Sequence, residues 1–410
     1  MSILSGSNFI DLRIRASLAI EAQEDLLASI VNSSSFPRLN ALEIESRLSK
    51  YAFSGARNRE VIVSEIVSPL LEEILTSSRI VRKKVFDSFR AYDAYSVQSG
   101  KKYHYLHQFD VFLLGLSIMC TIWDQLEAKK NYFGYEDPVH MFHAWVLTSI
   151  VHDFGYPLES LEDRIKDLAK IFGDLGARAV SSKLKASYLK KVIKSSIGVD
   201  IRALHNIKIR IPDGTTTIGD LLRLCIQDTI RVGEHVARKE QEKMVSVRDH
   251  GYMSAVILSA FMSSIGNYFV SDPKKYDVIV KALGAIALHV RGKSLIRKMT
   301  LRNNPFAHLL LICDNLQDWD RSFFHQENYP TCCLTKYRAS KDSVGITYFF
   351  YHKKWQSNVR SELVNYLRKK VSILRALERS KMLGVNLSIS MEDNCGKIDY
   401  KQVHPTTFQL

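Results

Sequence analysis

The sequence predicts a mainly α protein, a helical bundle that carries a small α/β appendage at its C-terminal end. Three observations lead there. Long apolar runs between residues 103 and 321 are rich in Ala, Leu, Met and Gly and lack strict period-two alternation, which favours buried helices over strands. VGITYFFY (344–351) and VNLSISM (385–391) are instead β-branched, aromatic or alternating, as strands are. Between them WQSNVRSELVNYLRKKVSILRALERSK (355–381) places Trp355, Val359, Leu363, Leu367, Leu374 and Leu377 near one face, the stripe of an amphipathic helix.

In chain order, residues 1–100 read as a helical lead-in. IVSEIVSPLLEEIL (62–75) has apolar positions at helical spacing, with Pro69 expected as a kink or boundary. The helical core spans 101–330 and contains a less apolar insertion at 160–247. Inside that insertion, the basic stretch 183–202 carries Lys183, Lys185, Lys190, Lys191 and Lys194, and IPDGTTTIGD (211–220) reads as a turn. The insertion is expected to cover or border some other feature of the molecule. A β-α-β unit occupies 335–410, with a further strand expected near KIDYKQV (397–403).

Composition narrows the function classes. Among 410 residues, 57 Lys and Arg face 43 Asp and Glu, a net charge of +14, and the 46% hydrophobic content excludes disorder as the main state. Such a positive excess calls for acidic partners: a nucleotide-like substrate, nucleic acid or an anionic membrane surface. The apolar run VFLLGLSIMCTIW (111–123) is shorter than the roughly 20 residues that cross a bilayer, so no transmembrane segment is expected. MSILSGSNFIDLRIR has no signal-peptide pattern, and the six cysteines are scattered without a CxxC pair, so a reducing, cytoplasmic location with free thiols is expected. Phosphate-cradling Gly-rich loops, a GxSxG elbow and HExxH are missing from the sequence, which removes kinase, ATPase, serine hydrolase and zincin readings.

The chemistry-bearing residues lie at the ends of the apolar runs. His107 (in HQFDV) precedes one, His152-Asp153 (in HDFGYP) closes the next, Asp249-His250 (in RDHGYMSA) opens another, and His289 closes a fourth. In a bundle of antiparallel neighbours a start, an end, a start and an end fall at one end of the bundle. Asp314, closing FAHLLLIC, joins them if the chain first returns to the far end. Imidazole nitrogen and carboxylate oxygen together suit one or two divalent ions (Mn, Fe, Co, Mg or Zn), and a carboxylate can bridge two. The expected first ion is held by His107, His152, Asp153 and Asp314. His250 and His289 complete a second, with Asp153 bridging. A buried carboxylate after LLLIC would be costly without a cation, which favours ligation by Asp314. Asp249 is either a proton carrier or the N-cap of the helix that follows.

The ordered set His107, His152-Asp153, Asp314 is similar to the H…HD…D signature of the HD superfamily of metal-dependent phosphohydrolases. His250 and His289 resemble the two extra histidines of its two-metal members, such as the HD-GYP cyclic-dinucleotide phosphodiesterases. HQFDV resembles the H-x-x-D-V segment of cyclic-nucleotide phosphodiesterases, and LLLICDNLQDWDR the last aspartate segment of several HD enzymes. The resemblance covers about 103–321. Two departures leave the subfamily unassigned: Tyr103 stands where the phosphodiesterases carry an acid histidine, with His104 one place nearer, and Tyr156 interrupts their HDxxH continuation.

The resemblance implies an HD-type helical bundle that cleaves a phosphoester or phosphoanhydride bond of a nucleotide-like substrate through metal-activated hydroxide. Arg291 and Lys293, which follow His289, and Arg321, which closes QDWDR, either bind substrate phosphate or complement the dipoles of solvated helix ends, and Asp153, Asp249 and His104 would serve the chemistry. A metal-dependent nuclease on the same fold and a non-catalytic nucleotide-sensing or partner-binding protein are the alternatives.

Overall fold

The computed structural model describes residues 50–51, 56–75, 104–121, 138–155, 201–247, 249–264, 273–290, 295, 297–299, 303–317, 331–340, 343–351, 372, 386–393 and 406–409. The described elements are mainly α. In order they are α1 (Ala56–Leu75), α2 (His104–Thr121), α3 (Pro138–Val151), α4 (Ile201–His205), β1 (Lys208–Ile211), β2 (Gly214–Thr217), α5 (Ile218–Ile230), α6 (Glu234–Val247), α7 (His250–Ser264), α8 (Pro273–Leu288), α9 (Pro305–Leu316), β3 (Thr331–Ser340), β4 (Ser343–Tyr351), β5 (Asn386–Asp393) and β6 (Thr406–Gln409). No helix among the described residues is long and apolar enough to cross a membrane.

α8 is the pillar of the bundle, packing against α3, α5, α7 and α9. Its second half, KALGAIAL, is small enough to admit several neighbours. Ala282, Ala285 and Ala287 are fully buried, and a Cβ on Gly284 would lie 2.2 Å from Thr229 Oγ1 and 2.9 Å from the Cys225 carbonyl. The α5 backbone therefore rests directly on α8. α2 and α3 are locked by Trp145, whose indole Nε1 donates to the Phe112 carbonyl at 2.9 Å. A Cβ on Gly115 would sit 1.9 Å from the Trp145 ring. Gly115→Ala should therefore overpack a fully buried contact and cost about 1–3 kcal/mol, measurable by urea denaturation followed by circular dichroism.

Local chemistry explains the element boundaries. Thr217 caps α5, its hydroxyl accepting from Asp220 N–H at 3.1 Å, and Arg231 ends that helix in the left-handed region at φ 46°. Asn304 caps α9 by accepting from Ala307 N–H at 3.1 Å, and its amide ties α5 and α8 by donating to Thr229 Oγ1 and the Lys281 carbonyl. α5 buries Ile218, Leu221, Leu222, Cys225, Ile226, Thr229 and Ile230, an i, i+3, i+4, i+7 stripe. Cys225 and Cys313 are buried free thiols.

Several sequence expectations change. Pro69 does not end its helix: α1 runs through it from Ala56 to Leu75, sacrificing one backbone hydrogen bond in an otherwise well-buried apolar face. The 211–220 stretch is a turn only at Pro212-Asp213; its flanks pair as the hairpin β1–β2, Ile211 opposite Gly214, with Gly214 at φ 136°, and its end starts α5. The less apolar insertion thus supplies a core helix. Residues 160–200, with the five lysines, lie outside the described residues, as do 397–403 and all of 355–381 except Ser372.

The C-terminal strands form one sheet in the order β3-β4-β5-β6. β3 and β4 are antiparallel, with an irregularity between Leu334 and Lys336; β4 and β5 are parallel; β5 and β6 are antiparallel. A parallel neighbour requires a crossover connection, as the β-α-β reading expects. β3 begins earlier, and β6 later, than the strands read from the sequence. The sheet docks on the bundle through two buried tyrosines: Tyr337 OH shares a 2.6 Å hydrogen bond with Ser117 on α2, and Tyr348 donates to the Leu316 carbonyl at the end of α9.

Candidate metal centre

The helix ends bring six of the expected residues together. His107 lies in the first turn of α2, His152 and Asp153 follow the last residue of α3, His250 opens α7, His289 follows α8, and Asp314 is in the last turn of α9. Start, end, start and end meet as antiparallel packing requires.

Asp153 sits between two pairs of imidazoles. Its Oδ2 is 3.5 Å from His152 Nε2 and 3.9 Å from His107 Nε2. Its Oδ1 is 3.5 Å from both His250 Nε2 and His289 Nε2. Asp314 Oδ1 joins the first pair, 3.0 Å from His107 Nε2 and 3.8 Å from His152 Nε2. Two groups result, His107 with His152 and Asp153, and Asp153 with His250 and His289, each with donor atoms within 4.8 Å of one another. Donors about 2.1 Å from a common ion lie roughly 3.0–3.4 Å apart at tetrahedral or octahedral angles. The imidazole centroids of His107 and His152 are 5.5 Å apart, compatible with sharing one ion.

The backbone is shaped to hold this arrangement. A Cβ at Gly155 would lie 2.1 Å from the His250 carbonyl, and Gly155 N–H donates to Ser254 Oγ at 2.6 Å. The turn after His152-Asp153 is thereby pressed onto the first turn of α7, which carries His250. Gly251 plays the same part opposite His289: a Cβ there would meet His289 Nδ1 at 2.7 Å. The glycines of HDFG and DHG are consequences of close approach.

Tautomers are set from behind. His152 Nδ1 donates to the Ser149 carbonyl at 2.7 Å and His289 Nδ1 to the Ile286 carbonyl at 2.8 Å. His107 Nδ1 donates to Gln317 Oε1. In each case Nε2 faces the shared centre, the orientation that outer hydrogen bonds give to metal-ligating imidazoles.

Burial lowers the His152 pKa against the opposing pull of the Asp153 charge, so the ring stays neutral. Its Nε2 is buried with no hydrogen-bond partner, a lone pair aimed at the centre. Burial alone would lower His289, but the hydrogen bond and charge of Asp153, with Asp314, raise it to about 9. Burial would raise Asp314; the His107 hydrogen bond and charge outweigh it and hold the carboxyl well below the usual range. His289 and Asp153 thus form a buried imidazolium–carboxylate pair where a cation would replace the proton.

The other expected site residues fall elsewhere. Asp249 Oδ1 accepts from Tyr252 N–H at 3.0 Å and caps α7, the structural half of its expectation. His104 begins α2; its side chain, and all of Arg291, Lys293 and Arg321, lie outside the described residues. Sequence reasoning missed Gln317, Asp110 and Tyr51, which stand behind His107. Gln317 Nε2 donates to Asp110 Oδ2 at 3.1 Å, and the Tyr51 hydroxyl donates to Asp110 Oδ1 at 2.8 Å. A signal was available in the two i, i+3 pairs His107/Asp110 and Asp314/Gln317, which put two polar groups on one helix face.

Comparison of the chain with protein-family models, curated proteins and solved structures finds no match.

Proposed function

We propose that the protein is a metal-dependent phosphohydrolase of the HD type that cleaves a phosphoester or phosphoanhydride bond in a nucleotide-like substrate. The observation that carries this reading is the buried Asp153 carboxylate with one oxygen toward His107 and His152 and the other toward His250 and His289, beside a His152 Nε2 that has no hydrogen-bond partner. The donor set fits borderline-hard divalent ions such as Mn, Fe, Co, Zn or Mg.

His107, His152, Asp153 and Asp314 would hold one ion, and Asp153, His250 and His289 a second. When bound, such ions supply Lewis acidity toward a phosphoryl oxygen and activate water at neutral pH. The chain does the rest. The Asp314 and His250 side chains are 28% and 16% exposed, whereas His152 is fully buried, so phosphate approaches from the side of Asp314 and His250. Ser149, Ile286 and Gln317 keep each Nε2 directed at that centre. Arg291, Lys293 and Arg321 are the proposed phosphate-binding cations, in keeping with the net charge of +14.

Metal analysis of the purified protein, coupled to a hydrolysis screen over nucleoside triphosphates, cyclic nucleotides, cyclic dinucleotides and single-stranded nucleic acid, tests the reading. Bound divalent metal and turnover of one substrate class are expected, with activity lost on chelation and restored by Mn²⁺, Fe²⁺ or Co²⁺. Undiminished hydrolysis by metal-free protein, or no turnover of any class with any of these ions, refutes it.

A further inference from the structure

The histidines of the centre need acceptors for their Nδ1–H groups, and where a histidine sits on its helix decides what it can find. His152 and His289 lie just beyond helix C-termini, where the final carbonyls have no intrahelical partner, and each takes the carbonyl three residues back. His107 is at a helix start. The orphan backbone groups there are N–H donors, which cannot accept its proton, so its acceptor must come from another element.

That acceptor is Gln317, which directly follows α9. We propose that Gln317 is the positioning residue of the centre, an amide inserted between the His107 imidazole and the Asp110 carboxylate that fixes which imidazole nitrogen faces the metal; this rests on reading the centre as a metal site.

An amide is the side chain that suits this place. Asp110 is 4% exposed and, as a carboxylate, can only accept. It therefore draws the Gln317 NH₂ toward itself at 3.1 Å, which turns Oε1 toward His107. That oxygen then requires a proton on Nδ1 and leaves Nε2 facing Asp314 at 3.0 Å. Leucine would supply no acceptor; glutamate would set two carboxylates against each other.

Every arm of Gln317 is held by a different part of the chain. Asp110 is fixed by the Tyr51 hydroxyl at 2.8 Å, and Tyr51 by Arg59, whose Nε donates to its carbonyl at 3.1 Å and whose guanidinium lies 5.1 Å from the ring centroid. The Gln317 N–H closes α9 on the Cys313 carbonyl at 2.8 Å. The preceding carbonyl, Leu316, receives Tyr348 from the C-terminal sheet. Residues from the lead-in, the bundle and the sheet thus converge behind one ligand.

The test measures Mn²⁺ affinity of the full chain by titration calorimetry and, in metal-free protein, the slowly exchanging downfield Nδ1–H resonance of His107, assigned by its loss in His107→Gln. Gln317→Leu is expected to weaken Mn²⁺ binding about 10–100-fold and to remove the protected resonance while the circular dichroism spectrum is kept. The double swap D110N/Q317E restores all three hydrogen bonds, so its affinity should return to within about threefold of native whereas Q317E alone stays weak. Gln317→Leu with native affinity and a protected Nδ1–H overturns the proposal. So does a double swap no better than Q317E, a comparison that stands even if Gln317→Leu fails to fold. A native protein that binds no Mn²⁺ overturns the metal reading instead; the metal-free resonance then decides Gln317 separately.

Discussion

Asp153→Ala is expected to empty both ion positions at once, whereas His152→Ala or His289→Ala should each impair one. The reason is the division of labour within a single carboxylate, Oδ2 serving His107 and His152 and Oδ1 serving His250 and His289. Asp153→Asn separates the two further. Its amide retains one ligating oxygen but presents an NH₂ to the opposite imidazole pair, so one ion at most should remain. Because each ion contributes several kcal/mol of charge stabilisation, Asp153→Ala should lower hydrolysis by on the order of 10²–10³-fold or more. Metal content per chain by elemental analysis, beside the rate, checks this. Full metal content in Asp153→Ala would contradict the bridging role.

Above pH 6.5, stability should fall with rising pH in metal-free protein and stay level in metal-loaded protein. His289, raised to about 9 from an ordinary 6.5, binds its proton more tightly folded than unfolded. Its contribution is therefore complete below 6.5 and is lost as pH rises toward 9, up to about 3 kcal/mol at about 1.4 kcal/mol per unit. His152 is lowered by burial, and His308 is pushed down to about 4 by burial. Both take up protons more readily unfolded, so stability also falls as pH drops below 6.5. Asp314, held low in the fold, adds a further loss as pH falls below 3.8. Metal-free protein should thus be most stable near pH 6.5. Bound metal needs unprotonated imidazoles, so its stabilisation grows with pH and offsets the His289 loss; at free metal a hundredfold above Kd it amounts to about 2.7 kcal/mol in all. Melting curves between pH 5 and 9, with EDTA or with Mn²⁺, should diverge on the alkaline side; parallel curves would contradict the assignment of His289 to the centre.

The positions of polar residues at the ends of apolar runs were enough to bring His107, His152, Asp153, His250, His289 and Asp314 to one place. That worked because helix direction, which a run's two ends define, decides which end of a bundle a residue occupies. The strands 344–351 and 385–391 were legible for a similar reason, β-branched and aromatic content. β3 was not: TCCLTKYRAS has no clean alternation, and it owes its place to pairing with β4. The local penalty at Pro69 points to a kink or boundary, but the helix continues through it, with Val63, Ile66, Val67, Leu70 and Leu71 buried on both sides. Gln317 was invisible as a partner of His107, since nothing local links residues 210 apart. Asp249 shows the reverse limit, where a carboxylate beside a histidine is used by its own helix as a cap.

His107 and Asp314 meet across 207 residues of chain, and Tyr348 braces the α9 terminus from farther along still. On a ribosome adding about 5–20 residues per second, that interval lasts roughly 10–40 s. Throughout it the early histidines are already made while their later carboxylate partner is not. A chain stalled or nicked within that interval therefore carries an incomplete ligand set, and only once Asp314 has been made can these scattered side chains close into a single cage.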